Sequence, residues 1–219
     1  MKELSVGIIG SNNERHSLYL SKELENQGVR PVILDNLPDK PYPLTFSEEN
    51  SKYENYDLSE TRVYFLRALF LPTPAFERSE DINNEGYSAY AAERERYAAW
   101  LSWLMSAPYH ERLIVNPVDT LMLHFAKPYH LERLRTADIP VPKTLVTSDA
   151  DTLLEFSRNR EVVYKPVAGG ALCRLLIEED KKPERLKTLT TAPVQFQEYV
   201  QGQDVRVFVL GGKVIASFI

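Results

Sequence analysis

Residues 195–217, QFQEYVQGQDVRVFVLGGKVIAS, constrain the fold of this chain more than any other stretch. A short strand is followed by a polar hinge, a strand of strict alternation, a Gly-Gly turn and another strand. Two adjacent glycines between strands predict a tight hairpin. The alternation predicts that Asp204 and Arg206 share one face of a strand. The opposite, packed face is expected to hold the intervening valines, Val205, Val207 and Val209.

The composition is that of a globular protein with a real core. A length of 219 residues suits one large domain or two modest ones, and 43% of the residues are hydrophobic and 11% aromatic. The formal charge of -5, with no cluster of lysine and arginine, argues against a dedicated nucleic-acid binder. A few local lysines would still suffice to bind the phosphates of a nucleotide.

Two further features bear on the compartment. Cys173 is the single cysteine, so an internal disulfide is impossible and a reducing cytoplasm is the expected location. The start of the chain, MKELSVGIIG, resembles a buried strand and not a signal peptide. No stretch approaches the ~20 apolar residues of a membrane span, so we expect no membrane partner.

The first half of the sequence alternates strands and helices. A strand at 4–9, a helix that ends at Gly28 and a strand at 29–34 predict a parallel unit of Rossmann type. Further strands are predicted at 62–71 and 112–115. Between them, the cleanest helical periodicity of the chain predicts a helix over 86–106.

The second half predicts a different class of fold. Many strands with short connections and two helices, at 150–157 and 182–189, indicate an antiparallel α+β unit. The overall prediction is therefore α/β plus α+β. Its domains are a Rossmann-like domain over 1–116, a helical connector over 117–142 and a β-rich unit over 143–219.

Lys165 is the first candidate for a binding residue. It ends an apolar strand and precedes Pro166, so its stem can pack while its ammonium points to a cleft mouth and contacts a phosphate. The alternative is an ordinary surface lysine at a strand end. The next loop contains Gly169 and Gly170, which would let the backbone approach a phosphate or would simply form a hairpin turn. No Gly-Lys-Ser/Thr follows, so it is not a Walker loop.

Other polar or reactive residues allow two interpretations or favour a structural role. Arg67, in the predicted strand 62–71, either grips an acidic acceptor in a cleft or forms a buried ion pair. Cys173 is expected to be a small packed residue in a strand over 171–178. Gly7 and Gly10 lack the G-x-G-x-x-G spacing, so the first strand is expected to bind no dinucleotide.

Taken with Lys127 and the Lys165-Pro166 pair, the run QEYV, a short spacer and DVRVFVLGGKVIAS resemble the nucleotide-binding half of an ATP-grasp ligase. The type is the RimK-like one, which adds glutamate to a ribosomal protein, and the resemblance covers residues 110–219. It implies a partial ATP-grasp domain over 143–219. It also implies that the rest of the chain, 1–116, is a pre-ATP-grasp domain.

The resemblance implies a set of nucleotide contacts. Main-chain groups along the adenine would come from Gln197, Glu198, Tyr199 and Val200. Phosphate contacts would come from Lys127, which is expected to lie extended before a helix, from Lys165 and from the loop with Gly169 and Gly170. Asp204 would reach the sugar region, and Arg206 on the same face is included among the predicted nucleotide contacts.

The resemblance also implies a reaction, in which ATP activates a carboxylate as an acyl phosphate and an amine displaces the phosphate. In the family, the magnesium ligands follow the strand that here ends at Ile219, so no metal ligand and no catalytic residue is assigned. Mg²⁺ is expected only together with such a segment, and this chain alone is expected to be inactive.

Several alternatives stay open from the sequence. The chain is either the ATP-binding part of a carboxylate–amine ligase or a non-catalytic nucleotide-binding or interaction module. A weaker alternative is a Rossmann-like domain with a β-rich appendage and no nucleotide. The carboxylate and the amine have no readable signature, so glutamate, a peptide and a small metabolite all remain open. A homo-oligomer is also open, since the tyrosine-rich helix could pack in a dimer or in a core.

Overall fold

The computed structural model describes residues 4–36, 42–47, 50–69, 87–168 and 171–219. The chain divides into two compact units, Met1–Leu121 and Met122–Ile219. The boundary falls within the stretch 117–142, and the three-part division given by the sequence stays a prediction. No helix within the described ranges is both long and apolar enough to cross a membrane.

The amino-terminal unit is built on a parallel sheet of four strands, in the spatial order Arg30–Asp35, Ser5–Gly10, Val63–Leu66 and Leu113–Val115. Its elements are β1 (Ser5–Gly10), α1 (Arg15–Asn26), β2 (Arg30–Asp35), β3 (Leu44–Phe46), β4 (Ser51–Tyr53), β5 (Tyr56–Asp57), β6 (Val63–Leu66), α2 (Tyr87–Met105) and β7 (Leu113–Val115). The strands β3, β4 and β5 form a separate antiparallel sheet. These elements confirm the α/β prediction and the long helix.

Aromatic side chains dominate the core of this unit. Tyr64, Trp100 and Trp103 are 0%, 1% and 4% exposed, and the rings of Tyr64 and Trp103 meet edge to face with their centroids 5.0 Å apart. The Tyr64 hydroxyl donates to the carbonyl of Leu58 at 2.6 Å, which satisfies the polar end of a buried ring. Burial raises the pKa of this phenol well above its usual range. The core is therefore tightly packed around a fixed tyrosine.

Arg67 lies outside the strand to which the sequence assigned it. Strand β6 ends at Leu66, and the segment beyond residue 69 is outside the described residues. The guanidinium donates to Glu14 Oε1 from Nε at 3.0 Å and from Nη2 at 2.7 Å. Of the two interpretations, the partly buried ion pair is the one that the structure favours.

Glu14 is also the N-cap of α1, where its carboxylate accepts a hydrogen bond from the N–H of Ser17 at 3.1 Å. Burial alone would raise the pKa of Glu14. Hydrogen bonds with His16, Arg67 and the Ser17 backbone, together with the charge of Arg67, outweigh burial and lower the pKa from 4.5 to about 2. The ionised carboxylate therefore stabilises the folded state.

We expect Glu14→Gln to destabilise the protein at pH 7 by about 1–2 kcal/mol, the range for losing a good cap together with a charge-assisted bond. Because the folded pKa is depressed, this stability is present above pH 4.5 and is lost as the pH falls toward 2. Urea denaturation at pH 7, 4 and 3 should show the variant and wild type converging. Glu25→Gln, in the exposed last turn of α1, is the matched control. An equal gap at pH 7 and pH 3 would contradict the assignment.

The carboxy-terminal unit is antiparallel, as predicted, with the strand order β10-β9-β11-β8 and a separate hairpin of β12 and β13. Helix α3 (Thr120–Phe125) spans the boundary between the units. The remaining elements are α4 (Lys127–Thr136), β8 (Thr144–Thr147), α5 (Ala150–Ser157), β9 (Val162–Pro166), β10 (Arg174–Leu175), α6 (Pro183–Leu189), β11 (Val194–Glu198), β12 (Arg206–Leu210) and β13 (Lys213–Phe218).

One face of the four-stranded sheet packs on the two helices α5 and α6. Val162, Tyr164 and Phe196 on this face share a core cluster with leucines of the helices. The leucines are Leu153, Leu186 and Leu189. Alternation along the strands therefore turns Val163, Lys165 and the glutamines of β11 to the other face. Of the predicted binding residues, Lys165 and Gln197 lie on that other face.

Four local predictions in this unit are wrong. The strand expected over 171–178 is reduced to Arg174–Leu175, and Cys173 is exposed instead of packed. In the hairpin, Asp204 precedes β12 and does not lie on it. The predicted packed face is not packed within the described chain, since Val207 and Val209 are 49% and 59% exposed. Alternation shows which residues share a face, but it does not show whether another layer covers that face.

Candidate functional site

Lys165 and Gln195 are cross-strand neighbours at the centre of the carboxy-terminal sheet. Strands β9 and β11 pair antiparallel with these two residues opposite each other. Directly opposite residues present their side chains on the same face, so a half-buried lysine lies beside a glutamine. The arrangement brings a cation and a polar amide together on the face that the helices do not cover.

Gln195 has a buried acceptor without a hydrogen bond. Its side chain is 1% exposed, and Oε1 has no hydrogen-bond partner within the described chain. A buried polar atom left unpaired costs about 1–3 kcal/mol. A bound group that donates a hydrogen bond here would remove this cost, as an amino group can. The sequence analysis did not single out Gln195, although a glutamine within an otherwise buried strand was a readable signal.

The next two residues of β11 use their side chains to fix the strand. Gln197 is buried, and its Nε2 donates to Thr144 Oγ1 at 2.9 Å. Glu198 Oε1 accepts from the backbone N–H of Lys143 at 2.9 Å. These two side chains therefore bond to neighbouring segments of the chain, and the predicted recognition of adenine by main-chain groups here stays a prediction.

Regular pairing stops at the end of β11. The N–H of Tyr199 still donates to the carbonyl of Glu161 at 2.8 Å. Beyond it, no described residue bonds to the Tyr199 carbonyl or to the Val200 N–H, and the two side chains are 47% and 67% exposed. The end of β11 therefore offers main-chain groups that can bond a ligand.

Lys127 is the first residue of α4, and the sequence prediction of an extended lysine before the helix is wrong. Pro128 explains the difference, because proline suits the first turn of a helix, where its missing N–H is no loss. The side chain of Lys127 is half-buried, like that of Lys165. Neither ammonium has an acidic partner in the described ranges, whereas Lys181 is paired with Glu178 at 2.7 Å.

The remaining predicted contacts are not gathered at this site. Gly169 and Gly170 lie outside the described residues. Asp204 and Arg206 are exposed. The backbone of Arg206 lies opposite that of Phe218 in the separate hairpin of β12 and β13. The contact of Asp204 and Arg206 with a nucleotide stays a prediction. Searched within the described ranges only, the chain holds no group of three or more His, Cys, Asp or Glu residues suited to a metal ion.

Comparison by sequence alone finds nothing: no protein-family model and no curated protein matches the chain. Comparison of structures finds many matches. One is the ATP-grasp ligase PsnB complexed with minimal precursor, Mg and ADP, at 27% identity and a TM-score of 0.82. The match covers 99% of this chain and 71% of that one.

Two more distant matches show the same fold. A RiPP-associated ATP-grasp ligase from Chryseobacterium gregarium, in complex with ADP and a leader and core peptide, is 18% identical with a TM-score of 0.71. That match covers 96% of this chain and 67% of the ligase. A RimK domain ATP-grasp protein from Sphaerobacter thermophilus is 15% identical with a TM-score of 0.57, over 97% of this chain and 71% of that protein.

These likenesses support an ATP-dependent ligase. The nucleotide and magnesium found with PsnB are consistent with ATP as the cofactor and with conditional use of Mg²⁺. The nucleotide contacts that the resemblance assigns to Lys165 and to the end of β11 stay predictions. The chain has the fold of the ATP-grasp ligases, and its likeness to the RimK domain protein is one of fold.

Proposed function

We propose that this chain is the ATP-binding part of a carboxylate–amine ligase that forms an amide or peptide bond through an acyl phosphate. The observation that carries the proposal is the polar face of the carboxy-terminal sheet. There, an unpaired Lys165 lies opposite Gln195, whose buried Oε1 lacks a donor, and β11 ends in free main-chain groups. A nucleotide supplies phosphates for Lys165 and a heterocycle edge for the main-chain groups.

Each group of the site has a defined task in this proposal. The Val200 N–H donates to a ring nitrogen of the adenine, and a main-chain carbonyl from another peptide unit of the run Gln197–Val200 accepts from its amino group. Lys165, with Lys127 as a second candidate, balances the charge of the phosphates, which is the main contribution a protein makes to phosphoryl transfer. Bound ATP and Mg²⁺ would supply the activated phosphoryl group and further charge neutralisation.

We propose a peptide-borne carboxylate as the substrate to be activated. PsnB was solved with its precursor peptide, and the Chryseobacterium ligase with a leader and core peptide. The 27% identity over nearly the full length of this chain supports a peptide over a small metabolite. Glutamate as the incoming amine, which the RimK-like resemblance implies, has weaker support.

Isothermal titration of ATP, ADP and GTP into the full chain tests the proposal. We expect ATP and ADP to bind, and GTP to bind at least about tenfold more weakly, because guanine presents the reversed donor and acceptor to the end of β11. Circular dichroism and a cooperative urea transition should first establish that the protein is folded. A folded chain that binds no adenine nucleotide, or that binds GTP as well as ATP, would contradict the proposed site.

A further inference from the structure

The amino-terminal unit contains a cavity of about 630 Å³ to which the proposed ligase function assigns no role. Its wall is formed by the small antiparallel sheet, the last turns of α2 and the segments that precede β6 and β7. A volume of this size suits a small organic molecule or one to two residues of a peptide.

The cavity lies at the amino-terminal edge of the parallel sheet. Arg62 directly precedes β6 and Arg112 directly precedes β7, and both residues line the cavity. The strands are parallel, so their starting ends share one edge. Open α/β sheets bind their usual ligands at the opposite edge, outside the carboxyl ends of the strands. This cavity is therefore separate from the usual ligand position of the fold.

Two of the lining side chains carry buried hydrogen-bond donors without acceptors. These donors are Trp103 Nε1 and Arg112 Nε, and neither has a partner in the part of the chain that the structure describes. The other tryptophan shows the usual arrangement, since Trp100 Nε1 donates to the hydroxyl of Tyr42 at 2.7 Å. Buried donors are almost always paired in native proteins, so two adjacent exceptions indicate a missing acceptor.

The electrostatics of the cavity favour an anion. The Arg112 guanidinium lies 4.2 Å above the ring of Trp103, and its Nη2 donates to Ser106 Oγ at 2.9 Å. Arg62 is neutralised at the rim by Glu111 at 3.1 Å, whereas no described carboxylate pairs with Arg112. His110 also lines the cavity, and none of the lining residues is acidic. A partly buried, unneutralised guanidinium favours a bound negative charge.

We propose that this cavity binds a carboxylate carried on an apolar body. A carboxylate only accepts hydrogen bonds and has two oxygens, so it can serve the indole N–H and the guanidinium Nε–H together. Phe46, Leu58 and the ring of Trp103 supply apolar surface for the rest of the ligand. The carboxylate belongs either to a small free acid or to an acidic side chain next to an apolar residue in a peptide.

Two pairs of probes test the proposal on the full chain. Phenylacetate is compared with phenylacetamide, and an acetylated Leu-Glu-Phe amide tripeptide with its Leu-Gln-Phe counterpart. The readouts are titration calorimetry and the fluorescence of the only two tryptophans, Trp100 and Trp103, which lie in one core cluster. We expect an acid to bind at least about tenfold more tightly than its amide, as for a charge-assisted bond. Binding of phenylacetate would identify a small free acid as the ligand, and binding of the Leu-Glu-Phe tripeptide would identify an acidic side chain in a peptide. A folded chain that binds neither acid, or that binds acid and amide equally, overturns the proposal.

Variants of the two donors separate binding from folding. Trp103→Phe removes the unpaired N–H but leaves a void in the core, so we expect a lower Tm together with weaker calorimetric binding of the acid by a variant that a cooperative urea transition shows to be folded. Arg112→Lys keeps the charge but removes the Nε–H, and we expect an affinity loss of about tenfold. Arg30→Lys, at the start of β2 and half-exposed, is the matched control and should bind as wild type does. Wild-type affinity in both cavity variants would overturn the proposal.

Discussion

Gly7→Ala is expected to destabilise the amino-terminal unit by about 3 kcal/mol, the upper end for overpacking a core. A Cβ atom at this position would lie 2.3 Å from Cδ1 and 2.5 Å from Cε1 of Tyr64. The ring cannot move aside easily, because Tyr64 is fully buried and its hydroxyl is bonded to Leu58. Urea denaturation followed by tryptophan fluorescence measures the loss, since both tryptophans lie in the same core cluster.

Two further variants make this expectation specific to the tyrosine contact. A Cβ atom at Gly10 would lie 2.7 Å from the Ser17 hydroxyl oxygen and 3.4 and 3.6 Å from Cβ and Cγ of Arg67, so a smaller loss is expected for Gly10→Ala. The double variant Gly7→Ala with Tyr64→Leu should lose less than the sum of the two single changes, because the added methyl group then has space. Additive losses in the double variant would show that the clash is not with Tyr64.

Lys165→Ala is expected to weaken ATP binding by about tenfold to a hundredfold, the range for removing a charge-assisted bond to a phosphate. The unfolding free energy should change little, since no described residue forms an ion pair with Lys165. Titration calorimetry with ATP measures the affinity, and a urea transition confirms folding. Lys187→Ala, on the exposed side of α6, is the matched control and should bind like the wild type. If the two variants bind ATP with equal affinity, Lys165 does not contact the nucleotide.

The regular parts of the fold could be predicted because their signals are local. The helix at 87–105 is a long run without glycine or proline, and the helix at 150–157 has an apolar face and follows Asp149, whose carboxylate accepts from the N–H of Thr152 at 2.7 Å. The parallel order of the first sheet follows from its alternating strands and helices. The end of β11 lies within the QEYV run. The sequence could predict this end because an apolar strand followed by polar residues is visible in it.

The features that could not be predicted depend on contacts between distant residues. Arg67 was ambiguous because its partner Glu14 lies 53 positions earlier in the chain. Cys173 has a strand-like neighbourhood but lies outside β10, and only the pairing with β9 sets that limit. Gln195 belongs to the site because it lies directly opposite Lys165 in the sheet. The sequence alone does not give the strand register that pairs these two residues. The valines of β12 alternate correctly, but alternation cannot supply the layer that would bury them.

Hydrogen–deuterium exchange of the full chain with and without ADP tests most directly whether the end of β11 is the nucleotide site. The Val200 N–H has no partner within the described chain, so without nucleotide it should exchange quickly. We predict that saturating ADP slows exchange in the peptides that cover residues 195–200 and 162–166, with little change in the hairpin of β12 and β13. Protection confined to other segments, while ADP is bound, would contradict the site.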